Sequence, residues 1–185
     1  MRIALPAVLV ALALPSSALA GGSITAGANL GITQTREDAD LDPSGTLGLF
    51  GRLGFAKRLA GQLEVQRIKT DEFSDVDIRT GTALLVLDLR DAGKLVPIVL
   101  GGVGFDRAAT EFSSTNGSHI EGGVGLEYRA AGGFTLGADF RIGSRFLEPQ
   151  AVANDDLPPD VTFFAPSHLS GGEYRSLRVT LGVRF

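Results

Sequence analysis

The sequence contains no cysteine and no tryptophan. Without cysteine, the chain can form neither disulfides nor thiolate metal sites. Lysine occurs only at positions 57, 69 and 94, so there is no basic run of the kind that binds nucleic acid. Beyond the N-terminal region, no segment offers the roughly 20 uninterrupted apolar residues that a spanning helix needs. These absences exclude a disulfide scaffold, a nucleic-acid partner and a helical membrane protein.

The sequence is instead rich in glycine, with 25 glycines among 185 residues and a net charge of -4. The glycines follow no collagen-like or low-complexity repeat. At this frequency they indicate turns, bulges and closely packed strands.

The N-terminus has the features of an export signal. A positive start at Met1-Arg2 precedes an apolar stretch over residues 3–14, and Ala18-Leu19-Ala20 provides a small-residue cleavage site. We therefore predict a signal peptide over residues 1–20. The segment 21–185 then has an ordinary length for one domain.

From Ser23 onward, apolar residues recur at every second position, which is the period of a strand with one apolar face. The last segment is the clearest, because Leu177, Val179 and Leu181 alternate with Arg178 and Thr180. This pattern predicts eight strands near residues 23–34, 46–56, 60–70, 78–89, 95–107, 119–130, 133–146 and 173–185. They are joined by short turns at 57–58, 91–93 and 131–133 and by longer loops at 35–45, 71–77, 108–118 and 147–172.

Alternation alone does not decide which face points inward, since a soluble ligand-binding barrel would have its apolar face inside. Such a barrel needs a surface rich in Lys and Glu, and the polar faces here lack it. Short turns that alternate with longer loops are typical of outer-membrane barrels. We therefore predict an all-β, eight-stranded antiparallel up-and-down transmembrane β-barrel over residues 21–185.

The segment 82–89 is apolar on both faces, and we place Leu85, Leu87 and Leu89 outward so that Asp88 enters the lumen.

Two segments resemble a known family. The chain ends with an amphipathic strand that finishes on Phe185, and residues 94–105 read KLVPIVLGGVGF. The latter is similar to the PYVGAGVGY strand of OmpA/OmpX-like and opacity-type eight-stranded barrels of the bacterial outer membrane. The resemblance implies a Gram-negative outer-membrane protein with both termini in the periplasm, monomeric by default. It also implies that the barrel assembly machinery captures the strand ending on Phe185 by strand addition.

The predicted lumen receives nearly balanced charges. An eight-stranded barrel has an interior only just wide enough for side chains to fill, so these charges should pair with one another and with Asn29, Gln62 and Gln66. We predict a plugged lumen, exposed extracellular loops and a structural or surface-interaction role. The alternative is a narrow pore for small solutes or ions. The predicted lumen charges are Arg52, Glu64, Asp88, Asp106, Glu121, Glu127, Arg129, Asp139, Arg141, Arg178 and Arg184.

A second set of charges faces outward at the predicted extracellular rim: Arg67, Lys69, Arg79, Arg107 and Arg175. In this leaflet the edge of the bilayer is lined by lipopolysaccharide phosphates. We predict that these side chains bind those phosphates as charge-assisted donors. The alternative is ordinary rim charge, since long basic side chains commonly snorkel.

Catalytic and metal-binding patterns are weak. His168-Leu169-Ser170 is similar to the His-x-Ser pair of outer-membrane lipid A deacylases, but the carboxylate expected about a dozen residues later is absent. A lipid A-modifying enzyme is thus the least favoured alternative, and His119 is interpreted as a rim residue.

Residues 38–42 resemble the start of a calcium loop, but Pro43 stands where Gly is needed. A looser cation contact with loop 71–77 competes with a solvated acidic loop. The sequence predicts no cofactor and no bound metal.

Overall fold

The computed structural model describes residues 23–35, 43–69, 77–90, 92–109, 114–147 and 172–185. The predicted signal peptide over residues 1–20 lies outside these ranges, so its cleavage site stays a prediction. The described residues form no helix that is long and apolar enough to cross a membrane.

Eight strands make up the described part of the chain. Each is antiparallel to its neighbours, and the last strand pairs with the first to close the sheet. The predicted eight-stranded up-and-down barrel is therefore confirmed. The strands are β1 (Ile24–Thr35), β2 (Ser44–Gly54), β3 (Leu59–Lys69), β4 (Asp77–Asp88), β5 (Leu95–Ala109), β6 (Ser114–Arg129), β7 (Phe134–Leu147) and β8 (Gly172–Arg184).

Several strands extend further than the alternating pattern indicated. The predicted 108–118 loop is wrong in its bounds, because β5 and β6 stay paired as far as Ala109 and Ser114. Backbone pairing in a hairpin does not require apolar side chains. The polar residues at the start of β6 therefore pair with β5 although they lack the apolar alternation that predicts a strand. In the same way β2 begins at Ser44, which shortens the predicted 35–45 loop.

The two ends of the barrel differ in their connections. One end, here called the turn end, carries the connections 55–58, 89–94 and 130–133 together with the first residues of β1 and the end of β8. Gly132 and Gly133 both adopt a φ of 85° there, a conformation that glycine reaches without steric cost. The other end, here called the loop end, carries the connections 36–43, 70–76, 110–113 and 148–171.

The outward face is an apolar belt. Leu85, Leu87 and Leu89 of the fourth strand region point outward, with exposed fractions of 57%, 41% and 50%. A belt of this extent is typical of a lipid-facing barrel wall and would be unusual on a soluble monomer. Further exposed members include Leu30, Leu47, Leu63, Val65, Val103, Phe105, Ile120, Val124, Phe140, Leu177 and Leu181.

The lumen has an apolar side as well as a charged one. Leu84, Val86, Val96, Ile98 and Leu100 of β4 and β5 form one buried cluster. The sequence predicts apolar side chains on both faces of residues 82–89, but alternation did not predict that the inward ones cluster with those of β5. Most of the charged side chains of the lumen lie on other strands, namely β3, β6, β7 and β8.

Candidate functional site

The centre of the lumen is built around the guanidinium of Arg141 on β7. Its Nη1 donates to Glu121 at 2.6 Å, its Nη2 to Glu64 at 2.8 Å and its Nε to Asp139 at 2.6 Å. Arg178 of β8 also donates to both glutamates, at 2.8 and 3.1 Å. Two arginines and three carboxylates thus meet in the middle of the barrel, and Arg141 is only 1% exposed.

A second group of charges lies toward the turn end. Glu127 accepts from Arg52 at 2.5 Å and from Arg129 at 2.7 Å. Arg129 also donates to Asp88 at 2.7 Å. The amide of Gln62 joins this group to the centre, because it accepts from Arg52 and donates to Glu64.

A third group lies toward the loop end and contains a buried histidine. His119 Nδ1 lies 2.9 Å from Asp106 Oδ2, and its Nε2 lies 3.0 Å from Thr82 Oγ1. Arg145 Nε donates to the same Asp106 oxygen at 3.1 Å. The guanidinium of Arg145 also stacks 4.7 Å from the ring centroid of Tyr174, whose hydroxyl donates to Glu121 at 2.7 Å. This stack and hydrogen bond join the third group to the centre.

The three groups form one network along the lumen, from Asp88 near the turn end to Asp106 near the loop end. It pairs five arginines, at positions 52, 129, 141, 145 and 178, with six carboxylates, at positions 64, 88, 106, 121, 127 and 139. Arginine suits this role, since its planar fork can bind two or more carboxylates at once.

Two glycines make room for the rings of the third group. A methyl group at Gly104 would lie 2.4 Å from Cε1 of His119, and one at Gly143 would lie 2.6 Å from Cζ of Tyr174. Any side chain at these positions would displace the ring beside it. Part of the glycine richness of the sequence therefore serves the packing of the lumen.

Ten of the eleven predicted lumen charges lie in this network, and Arg184 does not. Arg184 faces inward by its register opposite Thr25, but it is exposed and forms no ion pair with another described residue. The reason is its place at the end of β8, where the side chain extends past the lumen into solvent. The prediction for Arg184 is therefore wrong.

Three further residues lie in the lumen that the sequence did not predict there. His119 was interpreted as a rim residue, yet it is 4% exposed, and its ring stands edge-on to that of Tyr174 with 6.4 Å between the ring centroids. Arg145 and Tyr174 were not considered. The inward alternation of β7 and β8 would have found them, since Arg145 is in phase with Arg141 and Tyr174 with Arg178.

Some buried polar atoms of the lumen have no described partner. Asn29 was predicted to pair with the charges, but neither its Oδ1 nor its Nδ2 has a hydrogen bond within the described residues, and that prediction is wrong. Thr46 Oγ1 and Asp106 Oδ1 are in the same situation. Buried groups of this kind usually bind ordered water.

The outward basic residues form a row on one side of the barrel. Arg67, Arg79 and Arg107 occupy directly opposed positions on β3, β4 and β5. Asp77 accepts from Arg67 at 2.7 Å and from Arg79 at 3.4 Å. These three arginines, here called the outer arginine row, stand just beyond Val65 and Phe105 of the apolar belt.

The other two outward basic residues are placed differently. Lys69 stands one step nearer the loop end, opposite Asp77. Arg175 lies apart from the row on β8, between Gln34 and Ile142. Only Lys69 is therefore a neighbour of the row.

The catalytic and metal patterns of the sequence fall mostly outside the described residues, which include neither His168 nor Ser170 nor the acidic segment 38–42. Within the described ranges, no group of three or more His, Asp or Glu side chains is arranged to hold a metal ion. The hydrogen-bonded residues Thr82, His119 and Asp106 are buried in the lumen, and each is 5% exposed or less.

Comparison with solved structures finds the same fold at low sequence identity. The crystal structure of the neisserial surface protein A, NspA, superimposes with a TM-score of 0.61 at 13% identity, covering 89% of this chain and 96% of that one. The N-terminal barrel domain of OprF from Pseudomonas aeruginosa gives 0.53 at 11% identity, covering 87% and 97%. OprG from the same organism gives 0.52 at 14% identity, covering 90% and 96%.

Curated proteins offer no significant match to this sequence. The family comparison, in contrast, covers nearly the whole chain, because residues 6–185 match the outer membrane protein beta-barrel domain. Together with the closed barrel and its apolar outer belt, this match identifies the chain as a member of the outer membrane protein β-barrel family, located in the bacterial outer membrane.

Proposed function

We propose that this protein is a closed, non-conducting barrel with a structural or surface-interaction role in the outer membrane. The observation that carries the proposal is the network of ion pairs and hydrogen bonds along the lumen, together with the buried apolar side chains of β4 and β5. Free passage of an ion would require several buried pairs to separate, and each separated charge would be costly to leave unpaired.

Planar-bilayer recording tests this proposal directly. The refolded protein should give no discrete conductance steps, because side chains fill the lumen of a barrel of this size. Reproducible ion-conducting steps in the unmodified protein would overturn it. Heat-modifiability on a gel, measured on the same preparation, ensures that a silent recording comes from a folded barrel.

A narrow pore is the second candidate, and one observation favours it. The unpartnered polar atoms of Asn29, Thr46 and Asp106 suit ordered water within the lumen. If these waters joined into a path, the Asn29→Leu and Thr46→Val variants would reduce any conductance. Under the closed-barrel proposal both variants stay as silent as the unmodified protein.

We further propose that the loop end faces the extracellular medium, so that the turn end and the C-terminal residue Phe185 lie on the periplasmic side. The connection 148–171 at the loop end is the longest of the barrel and would present most of the contact surface. A single cysteine in this cysteine-free chain tests the orientation. Ala153→Cys should react with an impermeant maleimide on intact cells, whereas Ala92→Cys should react only after the outer membrane is permeabilised. The reverse pattern would overturn the orientation.

The outer arginine row supports lipopolysaccharide as a partner. Like charges at directly opposed strand positions repel one another, and Asp77 is the one carboxylate that pairs with members of the row among the described residues. Phosphates at the edge of the outer leaflet would supply the missing negative charge as acceptors of charge-assisted hydrogen bonds.

Retention of lipopolysaccharide on purified barrel tests this partner. The triple variant Arg67→Ser, Arg79→Ser, Arg107→Ser should retain clearly less lipopolysaccharide than the unmodified protein. Arg175→Ser is the matched control, because it removes an outward arginine that lies outside the row. Equal retention by the triple variant and the control would remove the basis for this contact.

A further inference from the structure

The turn end carries a second basic surface on two neighbouring connections. Lys57 and Arg58 lie between β2 and β3, and Arg90 and Lys94 lie between β4 and β5. All four residues are exposed. These four residues are here called the basic turns.

The two connections are held side by side by the backbone. Because β3 pairs with β4, the connection before β3 lies next to the connection after β4. The N–H of Asp88 donates to the carbonyl of Arg58 at 2.8 Å, which continues the pairing into the turns. The four basic residues therefore form one patch on one side of the barrel.

Two described carboxylates near the turn end point into the lumen, away from this surface. The side chains of Asp88 and Glu127 pair inside the lumen with Arg129 and Arg52. The third connection, 130–133, contains only Ala and Gly and carries no charged side chain. The connections 55–58 and 89–94 together hold four basic residues and one acidic residue, Asp91, in the sequence, so their formal charge is positive.

Exposed apolar side chains adjoin the basic turns on the outer wall. Phe55, Leu89 and Leu95 are exposed by 57%, 50% and 47%, and each is a close sequence neighbour of a basic residue. In a membrane barrel this arrangement puts the apolar groups among acyl chains and the basic groups at the level of the headgroups, which long basic side chains reach by snorkelling.

We propose that the basic turns bind the phosphate headgroups of anionic phospholipids in the periplasmic leaflet. The patch combines adjacent positive charges with apolar side chains directly beside them, and an anionic lipid offers both complements in one molecule. The proposal rests on the proposed orientation, since phospholipid fills the leaflet that the turn end would meet. The outer arginine row and the basic turns then hold the two ends of the same strands, β3 to β5, at the two faces of the membrane.

Native mass spectrometry of the folded barrel tests the proposal by counting bound lipid. Micelles are supplied with equal amounts of phosphatidylglycerol and phosphatidylcholine. The unmodified protein should retain several-fold more phosphatidylglycerol, and the variant Lys57→Ser, Arg58→Ser, Arg90→Ser, Lys94→Ser should lose that preference. The triple variant of the outer arginine row is the control, and the quadruple variant should lose more of the preference than this control does. A milder double variant, Lys57→Gln with Lys94→Gln, should lose part of the preference if the quadruple variant does not fold.

Two results would overturn the proposal: no lipid preference in the unmodified protein, or an unchanged preference in both turn variants. The first result would favour an acidic periplasmic protein as the partner of the patch. Because micelles have no sidedness, the assay does not depend on orientation, so a failure here is distinct from a failure of the cysteine-labelling experiment or of the conductance experiment.

Discussion

The same side chain has two different environments in this barrel. Arg141 in the lumen is 1% exposed and donates to Glu64, Glu121 and Asp139. Arg79 on the outer wall has a side chain that is 74% exposed, and its described ion pair is a single 3.4 Å contact with Asp77. Arg141 lies in the middle of β7 and points into the lumen, whereas Arg79 lies near the loop end of β4 and points outward. The direction of each side chain therefore determines its surroundings.

The difference separates charges that are buried in ion pairs from charges that are exposed on the outer wall. Removing one member of a buried ion pair leaves an uncompensated charge in a medium of low dielectric constant. An exposed pair is screened by water and salt, and contributes little to stability. We therefore assign the lumen arginines a structural role and the outer arginines an interaction role, and the following predictions test that division.

The largest effect is expected from Arg141→Ala. Three carboxylates would lose their shared donor, and the barrel should lose on the order of 4 kcal/mol of unfolding free energy. Urea titration in lipid vesicles, followed by circular dichroism because the chain has no tryptophan, measures the change. A midpoint equal to that of the unmodified protein would mean that the network does not stabilise the barrel.

A smaller effect is expected on the apolar side of the lumen. Leu84 is 3% exposed and packs in the cluster with Val86 and Ile98. Leu84→Ala would leave a cavity, and should cost about 3 kcal/mol. The same titration measures it, with Leu85→Ala as the matched control, because Leu85 points to lipid. Equal losses in both variants would contradict the assignment of the two faces.

Tyr174→Phe should have a still smaller effect. The variant removes one hydrogen bond to Glu121 but leaves that carboxylate paired with Arg141 and Arg178. Loss of a hydrogen bond to a charged group should cost about 2 kcal/mol. If the midpoint did not move, the link between the central and loop-end groups through this hydroxyl would be unnecessary for stability.

The smallest effect on stability is expected from Arg79→Ala. Because this side chain is exposed and its ion pair is weak, the urea midpoint should stay within error of the unmodified value. Retention of lipopolysaccharide by the same purified variant should nevertheless decrease. A large loss of stability without any change in retention would reverse the roles that we assign to the inner and outer arginines.

Much of the fold follows from the sequence, because a period of two places successive side chains on opposite faces of a strand. The eight strands, the apolar outer belt and ten of the eleven predicted lumen residues follow from that alternation. It fails where alternation is weak: the polar start of β6 was assigned to a loop. His119 thereby became the first residue of the predicted strand and was interpreted as a rim residue.

The pairing of the lumen residues could not be predicted in the same way. Alternation tells which residues face inward, but not which of them meet across the barrel. Glu64 and Arg178 are 114 positions apart in the sequence, and their contact depends on the closure of β8 onto β1. Arg184 shares the inward register but lies too near the end of the barrel to join the network. Asn29 also faces inward, yet no partner among the described residues reaches its amide.

The most direct measurement is a double-mutant cycle on Arg141 and Glu64, whose atoms Nη2 and Oε1 lie 2.8 Å apart. Arg141→Met and Glu64→Gln each leave opposite charges unpaired in the lumen, whereas the double variant removes one charge of each sign. We expect the double variant to lose less unfolding free energy than the sum of the single variants, with a coupling of at least about 1 kcal/mol. Losses that add to within about 0.5 kcal/mol would contradict the ion-paired lumen.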